Sequence, residues 1–289
     1  MSFQAPDPAR SRATLIGLGA ILLWGLLALM TATTAGIPPF QLTAMTFGIG
    51  GLAGTAIVAM RGKLALLRQP PRAWALGLFG LFVYHAIYFT ALKLAPPADA
   101  SLIAYLWPLL IVLMSAALPG EKLTLHHIAG AVLGLAGVVV LALGKGSLAL
   151  SAEHITGYAL ALVSALIWSS YSVLSRRMAD VPTEAVAAFC LGTSVLALIV
   201  HLMVEPTIMP ASTAQVVAIL VLGLGPVGAA FFLWDIGMKK GDLRFLGVAS
   251  YATPMISTLA LVLSGVTPAT WTLGLACLLI AAGAVVARK

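Results

Sequence analysis

Long apolar stretches separated by short polar segments make up nearly the whole chain. Most of these stretches are close to the ~20 residues that an α-helix needs to cross ~30 Å of hydrocarbon. Ten runs can be marked, at residues 13–34, 41–60, 73–94, 99–118, 125–143, 156–175, 183–203, 214–236, 245–263 and 270–287. The pattern predicts an all-α integral membrane protein with ten transmembrane helices, which we number spans 1 to 10.

Positive charges alternate along this pattern. Fourteen of the sixteen Lys and Arg residues lie in the two tails or in every second gap between the apolar runs. The other gaps contain only Lys93 and Lys145. That larger set is Arg10, Arg12, Arg61, Lys63, Arg68, Arg72, Lys122, Arg176, Arg177, Lys239, Lys240, Arg244, Arg288 and Lys289. Because cationic loops are held on the cytoplasmic side of a membrane, we expect both termini in the cytoplasm. Residues 1–12 then form a cytoplasmic tail, in which Pro6 and Pro8 oppose a helix.

Composition narrows the class of protein. The 289 residues are 61% hydrophobic and only 9% charged, with a mean hydropathy of +1.06. Soluble proteins carry roughly 25% charged residues, so a water-soluble globule is excluded. The net charge of +7 is spread over separate loops. It therefore indicates orientation in a lipid bilayer, and no nucleic-acid partner is expected.

Parts of the second half resemble the first half when the chain is shifted by 146 residues. The matching segments are 91–93 with 237–239, 105–108 with 251–254, 137–140 with 283–286 and, after a two-residue gap, 21–24 with 165–168. Each half contains five spans, an odd number, so the halves cross the membrane in opposite senses. Inverted repeats of this kind are typical of transporters, with the substrate route between the halves. We expect a first repeat at 13–143, a periplasmic linker at 144–155 and a second repeat at 156–289.

Helix breakers fall near the middle of several spans. Pro108 and Pro254 occupy equivalent repeat positions, and each removes a backbone donor and obstructs the carbonyl four residues earlier. Gly225 and Pro226 lie near the centre of span 8. Broken helices are tolerated inside a membrane where the freed backbone groups line a cavity or find protein partners. We therefore interpret these four residues as hinges, although Gly and Pro are also commoner in membrane helices in general.

Span 5 contains Gly130 and Gly134, a G-x-x-x-G spacing that favours close helix contact. The sequence leaves open whether this contact is made within one protomer or between two protomers of a homodimer.

Aromatic side chains lie too deep in several spans to belong to the interfacial belts where Tyr and Trp usually occur. Stacking faces, hydroxyls and indole N–H groups together suit an aromatic or amphipathic small molecule. The candidate substrate-binding residues are Trp24, Tyr84, His85, Tyr88, Tyr105, Trp107, Trp168, Tyr171 and Tyr251. By contrast, Trp74, Trp234 and Trp271 lie nearer to span ends, and we interpret them as interfacial anchors.

His85 is the only ionisable residue near the predicted bilayer centre, which makes it a functional candidate. The alternative is a neutral imidazole that is hydrogen-bonded to Tyr88 or to a backbone carbonyl. Proton coupling through His85 stays open.

Four other charged side chains are interpreted structurally. Asp235 and Lys239, four residues apart, are expected to form a local ion pair. Lys93 and Asp99 flank the turn at Pro96-Pro97 and are expected to form a solvated pair. The histidines at span ends, His201 among them, carry no functional signal.

A family resemblance is carried by the segment from Ala91-Leu92-Lys93 to Leu106-Trp107-Pro108. The run Pro119-Gly120-Glu121-Lys122-Leu123 and the glycine-rich span 5 add to it. Together they resemble the drug/metabolite transporter superfamily, EamA type, over essentially the full chain. Within it the sequence is most similar to bacterial aromatic amino-acid exporters across 79–140. The second half departs from the pattern, because Thr267 stands where the repeat would place Glu121.

That resemblance implies a bacterial inner-membrane protein with a central cavity lined by spans 1, 3, 4, 6, 8 and 9. It implies a secondary exporter of aromatic and neutral amino acids that works by alternating access. A multidrug or other small-metabolite transporter on the same fold is the alternative. An intramembrane enzyme is a remote third, because the sequence identifies no paired catalytic residues at depth. No cofactor or metal is expected, and no nucleotide-binding G-x-x-x-x-G-K-[ST] loop is present.

Overall fold

The computed structural model describes residues 7–119, 123–144, 151–265 and 268–288, and within these ranges it is helical with no β-strand. Nine helices in the described ranges are long and apolar enough to cross a membrane. A shorter apolar helix ends the chain, and at 17 residues it sits at the lower limit of about 17 for a span. We label the ten helices α1 (Pro8–Thr33), α2 (Pro39–Met60), α3 (Pro71–Leu94), α4 (Pro97–Ala117), α5 (Leu125–Leu143), α6 (Ala152–Arg177), α7 (Ala185–Val204), α8 (Thr213–Lys240), α9 (Leu243–Leu263) and α10 (Trp271–Ala287). The predicted fold class is confirmed.

The first helix begins earlier than the apolar run. Pro8 is its first residue, and the Asp7 carboxylate accepts the backbone N–H of Ala9 at 3.0 Å. The expectation that Pro8 opposes a helix was wrong, because proline is compatible with the first helical position, where its missing N–H has no partner to lose. The helix therefore takes up residues 8–12 of the predicted tail.

Half of the ten helices change geometry near their centres. In α1 the break lies at Leu26, between Pro8–Gly25 and Leu27–Thr33. In α4 the break separates Pro97–Ala104 from Trp107–Met114, which continues as a 3₁₀ turn at Ser115–Ala117. In α9 the break separates Leu243–Ala249 from Ala252–Leu263. In α3 the π-helical segment Phe79–Val83 joins Pro71–Leu78 to Tyr84–Leu94. In α8 the π-helical segment Gly225–Ala229 joins Thr213–Leu224 to Ala230–Lys240. Short 3₁₀ turns also occur at Leu64–Leu67 and Ala152–His154.

These irregularities repeat with the internal shift of 146 residues. Adding 146 to the bounds of the first π-helical segment, 79–83, gives those of the second, 225–229. The interruption of α4 at 105–106, before Pro108, corresponds within one residue to that of α9 at 250–251, before Pro254. π-Helical turns often mark functional sites.

The helices pack as an inverted repeat requires. Helix α5 packs mainly on α10, and α2 on α7, so corresponding helices of the two halves meet each other. Helix α1 packs on α8 just as α6 packs on α3. With ten crossings, α1 begins and α10 ends on the same side of the membrane, which we call the terminal side. The turns around residues 34–38, 95–96 and 205–212 lie on the opposite side.

Glycines form the contact between α5 and α10. A Cβ added to Gly130 would lie 2.6 Å from the carbonyl oxygen of Gly283, and one on Gly283 would lie 2.6 Å from that of Gly130. A Cβ on Gly137 would lie 2.7 Å from Ile280. The G-x-x-x-G spacing of span 5 is thus used within the chain.

Candidate functional site

An aromatic cluster occupies the centre of the molecule, where α1, α2, α3, α4, α6 and α8 meet. Its rings lie within about 5 to 6.5 Å of at least one neighbour, the range of favourable ring packing. We define the aromatic cluster as Trp24, Phe47, Tyr84, His85, Trp107, Trp168, Tyr171, Phe231 and Trp234. Residues from both repeats therefore build it jointly.

Trp168 of α6 is the most connected ring of this cluster. Its centroid lies 5.6 Å from Trp24, 5.3 Å from Tyr84 and 5.4 Å from Tyr171. It also lies 6.3 Å from Trp107, edge to face. Its position is fixed by the neighbouring Ser169, whose hydroxyl donates to the Trp107 carbonyl at 2.9 Å.

Trp234 belongs to the cluster and is not an interfacial anchor, so that interpretation was wrong. Its centroid lies 5.1 Å from Trp24 and 5.9 Å from Trp107, and it is 1% exposed. The indole N–H donates to the Ser172 hydroxyl at 3.1 Å. The internal repeat carried a signal that could have identified it, because the shift of 146 residues places Trp234 at the position of Tyr88.

His85 lies in the cluster between Phe47 and Tyr84, with ring centroids 5.1 and 4.9 Å away. Its Nδ1 atom lies 2.6 Å from the carbonyl oxygen of Leu81. A nitrogen that donates to a carbonyl carries a proton, so the other ring nitrogen is the one left to accept. The backbone is therefore its partner, as one of the sequence alternatives anticipated.

Tyrosines border the cluster toward the opposite side of the membrane. Tyr88 stacks on Tyr84 with centroids 5.9 Å apart, and its hydroxyl lies 3.0 Å from the Ser101 hydroxyl. Tyr105 packs against the hydrophobic cluster that contains Val112 and Tyr251. These tyrosines keep partial exposure, whereas Trp168 is buried. Tyr84 and Tyr88, which we call the tyrosine border, thus offer hydroxyl groups next to the buried indole rings of Trp24, Trp168 and Trp234, which we call the floor of the cluster.

Polar contacts close the terminal side beneath this floor. The Arg176 guanidinium donates to the carbonyl oxygens of Met238 and Gly241 at 3.0 and 2.8 Å, joining α6 to the end of α8. Lys239 and Asp235 form the predicted ion pair at 2.9 Å, with side chains 5% and 4% exposed. The Thr183 hydroxyl completes it by donating to Asp235 at 2.6 Å.

Tyr251 is placed apart from the aromatic cluster. It is 0% exposed and packs against Gly134, where an added Cβ would come within 2.3 Å of its ring. Its hydrophobic neighbours include Val112 and Ile280. The structure thus brings seven of the nine candidate residues to the cluster or its tyrosine border, and Tyr105 and Tyr251 to the hydrophobic contact between α4, α5, α9 and α10.

Hinge candidates fall at or next to the irregular segments. Gly225 and Pro226 begin the π-helical segment of α8, and Pro108 and Pro254 lie just after the interruptions of α4 and α9. None of the predicted hinge residues lies at the break of α1 at Leu26. Gly25 beside it permits close contact with Ile256, to which an added Cβ would come within 2.4 Å.

Charged residues on the opposite side are arranged differently from the expected Lys93–Asp99 pair. Asp99 is 3% exposed and accepts the Tyr158 hydroxyl at 3.2 Å, while Lys93 lies 3.9 Å from Glu205. The expectation was wrong because Asp99 and Lys93 each find a different partner, far away in the sequence. Glu205 also lies 3.1 Å from Nδ1 of His201, which is 2% exposed.

Glu205 caps α2 as well. Its carboxylate accepts the backbone N–H groups of Phe40 and Gln41 at 3.1 and 3.2 Å, at the positive end of that helix. The Gln41 side chain exchanges hydrogen bonds of 2.7 and 3.0 Å with the backbone of Ile208. The opposite-side ends of α2 and α7 are therefore joined by several polar contacts.

Within the described residues, no group of three or more His, Cys, Asp and Glu side chains is placed to hold a metal ion. The aromatic cluster and its tyrosine border thus offer ring stacking and hydrogen bonding, which are interactions for an organic ligand.

Comparison with known proteins places the chain among transporters. The model of the EamA-like transporter family matches it twice, over residues 11–143 and 155–288. The aromatic amino acid exporter YddG of Ancylobacter novellus is 55% identical over 281 residues, 96% of this chain and 98% of the relative. YddG of Escherichia coli is 28% identical over 262 residues, 86% of this chain and 87% of the relative. One crystal structure superposes with a TM-score of 0.94 at 55% identity, covering 96% of both chains.

Proposed function

Because the chain belongs to the EamA-like transporter family, we propose that it is a secondary transporter that exports aromatic and neutral amino acids. Transport proceeds across the bacterial inner membrane by alternating access. The observation that carries this proposal is the aromatic cluster, which is built by both repeats at their junction. Inverted-repeat transporters bind their substrates at that position.

The substrate side chain packs against the rings that are partly open, those of Tyr84 and His85, with Trp168 behind them. Aromatic pairs add about 0.5–1.5 kcal/mol beyond the area they bury. The hydroxyls of Tyr88 and Ser101 lie beside these rings and serve the polar end of the substrate. A side chain of moderate size that lacks a ring also fits an apolar surface, which accounts for a range that includes neutral amino acids.

With the terminal side in the cytoplasm, the polar contacts that close this side would correspond to an outward-facing state. The cationic loops support this orientation, since Arg61, Lys63 and Arg68 lie between α2 and α3, and Arg72 lies in the first turn of α3. The contacts of Arg176 and Trp234 then form the closed inner side. Rocking of one repeat against the other separates Trp234 from Trp24 and Trp107 and closes the tyrosine border.

Flux assays in proteoliposomes test the function. Vesicles that contain the protein are loaded with labelled phenylalanine, tryptophan, leucine or glutamate, and efflux is followed. We expect efflux of phenylalanine and tryptophan, slower efflux of leucine and none of glutamate. Efflux of unrelated cationic drugs but of no amino acid would instead identify a multidrug transporter.

Substitutions in the cluster test the site. Trp168→Ala and Trp107→Ala are expected to lower efflux at least tenfold, because each removes a ring that backs the site. Trp271→Ala is the matched control, since Trp271 is 78% exposed at the start of α10. Unchanged flux and selectivity in both cluster variants would show that the site lies elsewhere.

A further inference from the structure

An apolar groove lies between α1, α9 and α10, separate from the aromatic cluster. Its volume is about 270 Å³. Its lining is apolar and includes Leu22, Ala249, Ala252, Ala281 and Ala284. Leu22 at its rim is 59% exposed, and Ala281 is exposed as well. The groove is therefore open to the hydrocarbon of the bilayer.

The terminal-side end of this groove is occupied by a cation and a ring. Arg288 lies on the same face of α10 as Ala281 and Ala284, since the spacings of three and four residues place side chains one above another. Phe245 lies in the same way on the face of α9 that carries Ala249 and Ala252. The two meet, with the Arg288 guanidinium 5.8 Å from the centroid of the Phe245 ring.

More positive charge surrounds this end of the groove. Helix α1 carries Arg10 and the exposed Arg12 in its first turns, and α9 carries Arg244 in its first turn. Among the described residues, the acids on these helix ends are Asp242, 3.4 Å from Arg10, and Asp7, which caps α1. All three helices that line the groove therefore bring arginine to one membrane surface, with fewer acids than cations.

From this combination we propose that the groove binds an anionic phospholipid of the terminal-side leaflet. One acyl chain lies along Leu22, Ala252 and Ala281, and the phosphate group lies at Arg288. Charge complementarity selects this occupant over an uncharged lipid, because basic pockets at the ends of membrane helices recognise anionic headgroups. The lipid contacts both repeats, since α1 belongs to the first and α9 and α10 to the second.

Lipid titration monitored by native mass spectrometry tests the proposal on the full chain in detergent. The probes are dioleoyl phosphatidylglycerol, which is anionic, and dioleoyl phosphatidylcholine, which has no net charge. We expect Arg288→Gln to weaken binding of phosphatidylglycerol about fivefold, the effect of about one basic side chain near an anionic headgroup. Binding of phosphatidylcholine is expected to stay unchanged in this variant.

A second variant fills the groove itself. Ala281→Leu is expected to weaken binding of both lipids, because its side chain takes the space of the acyl chain. Two matched controls are expected to bind as the unaltered protein does. Ala282→Leu adds the same bulk to an exposed neighbour that does not line the groove. Arg61→Gln removes an exposed arginine from the same side, at the end of α2.

Equal binding of the two lipids by the unaltered protein would overturn the proposal. So would equal losses in Arg61→Gln and Arg288→Gln, since that result would mean nonspecific attraction to the surface. If Ala281→Leu does not fold, the comparison of the two arginine variants decides.

Discussion

The indole N–H of Trp24 donates a hydrogen bond of 3.0 Å to the carbonyl oxygen of Pro226. This bond links α1 of the first repeat to the π-helical segment of α8 in the second. Both groups are buried. It therefore ties the floor of the aromatic cluster to the segment of α8 whose helical geometry is already irregular.

Replacing Trp24 by Phe keeps a ring in the cluster but removes the donor. We expect the free energy of unfolding to fall by about 1–3 kcal/mol, the usual cost of a buried group left without its partner. Denaturation in mixed micelles measures this. Trp271→Phe, the same substitution at an exposed indole, is expected to change stability by no more than about 0.5 kcal/mol. Equal effects of the two variants would mean that the bond to Pro226 contributes nothing.

Glu205 offers a second test, because it caps α2 and approaches Lys93 and His201 at once. Glu205→Gln keeps the shape but removes the charge, and we expect a loss of about 1 kcal/mol from the weakened interaction with the helix end. The control is Glu153→Gln, since Glu153 is 73% exposed and pairs with His154. A stability unchanged in Glu205→Gln would contradict a role for charge in this cap.

The buried pair of Asp235 and Lys239 predicts strong coupling between two substitutions. Asp235→Asn alone leaves a buried ammonium without its partner, which costs about 3–5 kcal/mol. The double variant Asp235→Asn with Lys239→Met is expected to be more stable than the single one, because no buried charge remains. Additive losses in this double-mutant cycle would contradict the assignment.

An exposed pair on the same side provides the control for that cycle. Arg72 and Asp180 lie 2.7 Å apart with side chains 66% and 60% exposed. Exposed pairs contribute about 0–1 kcal/mol, so Asp180→Asn is expected to have little effect on the unfolding free energy.

The glycine contact between α5 and α10 predicts sensitivity to added bulk. Gly283→Leu places a side chain against the Gly130 backbone, and we expect it to destabilise the fold by about 1–3 kcal/mol or more. Gly274→Leu, on the same helix, is the control, because no atom lies within 4 Å of the position of an added Cβ. Size-exclusion chromatography accompanies the measurement. A changed oligomeric state with unchanged stability would contradict a contact within the chain.

Sequence periodicity was sufficient for the fold because lipid leaves few alternatives to apolar helices. The break positions in α4 and α9 were also within reach, since proline acts on its own helix turn. The break at Leu26 was not predictable in this way, because no proline lies there and the neighbouring Gly25 has its contacts, Ile256 and Ser257, on a distant helix.

Side-chain partners were predictable only where they lie within one helix. The Asp235–Lys239 pair, four residues apart, was found from spacing. Asp99, which bonds to Tyr158, and Glu205, which bonds to α2, have partners more than fifty residues away. The apolar sequence around these residues does not indicate which positions of two distant helices lie opposite each other. Trp234 differs from these cases, because the internal repeat predicts it: it stands at the position of the candidate residue Tyr88 in the other half.

The two π-helical segments differ in sequence, Phe-Gly-Leu-Phe-Val in one and Gly-Pro-Val-Gly-Ala in the other. No position carries the same amino acid in both. Unlike pentapeptides therefore take up the same widened turn at equivalent positions of the two halves. The local breakers Gly225 and Pro226 mark the turn in α8 only, whereas alignment of the halves locates it in α3 as well.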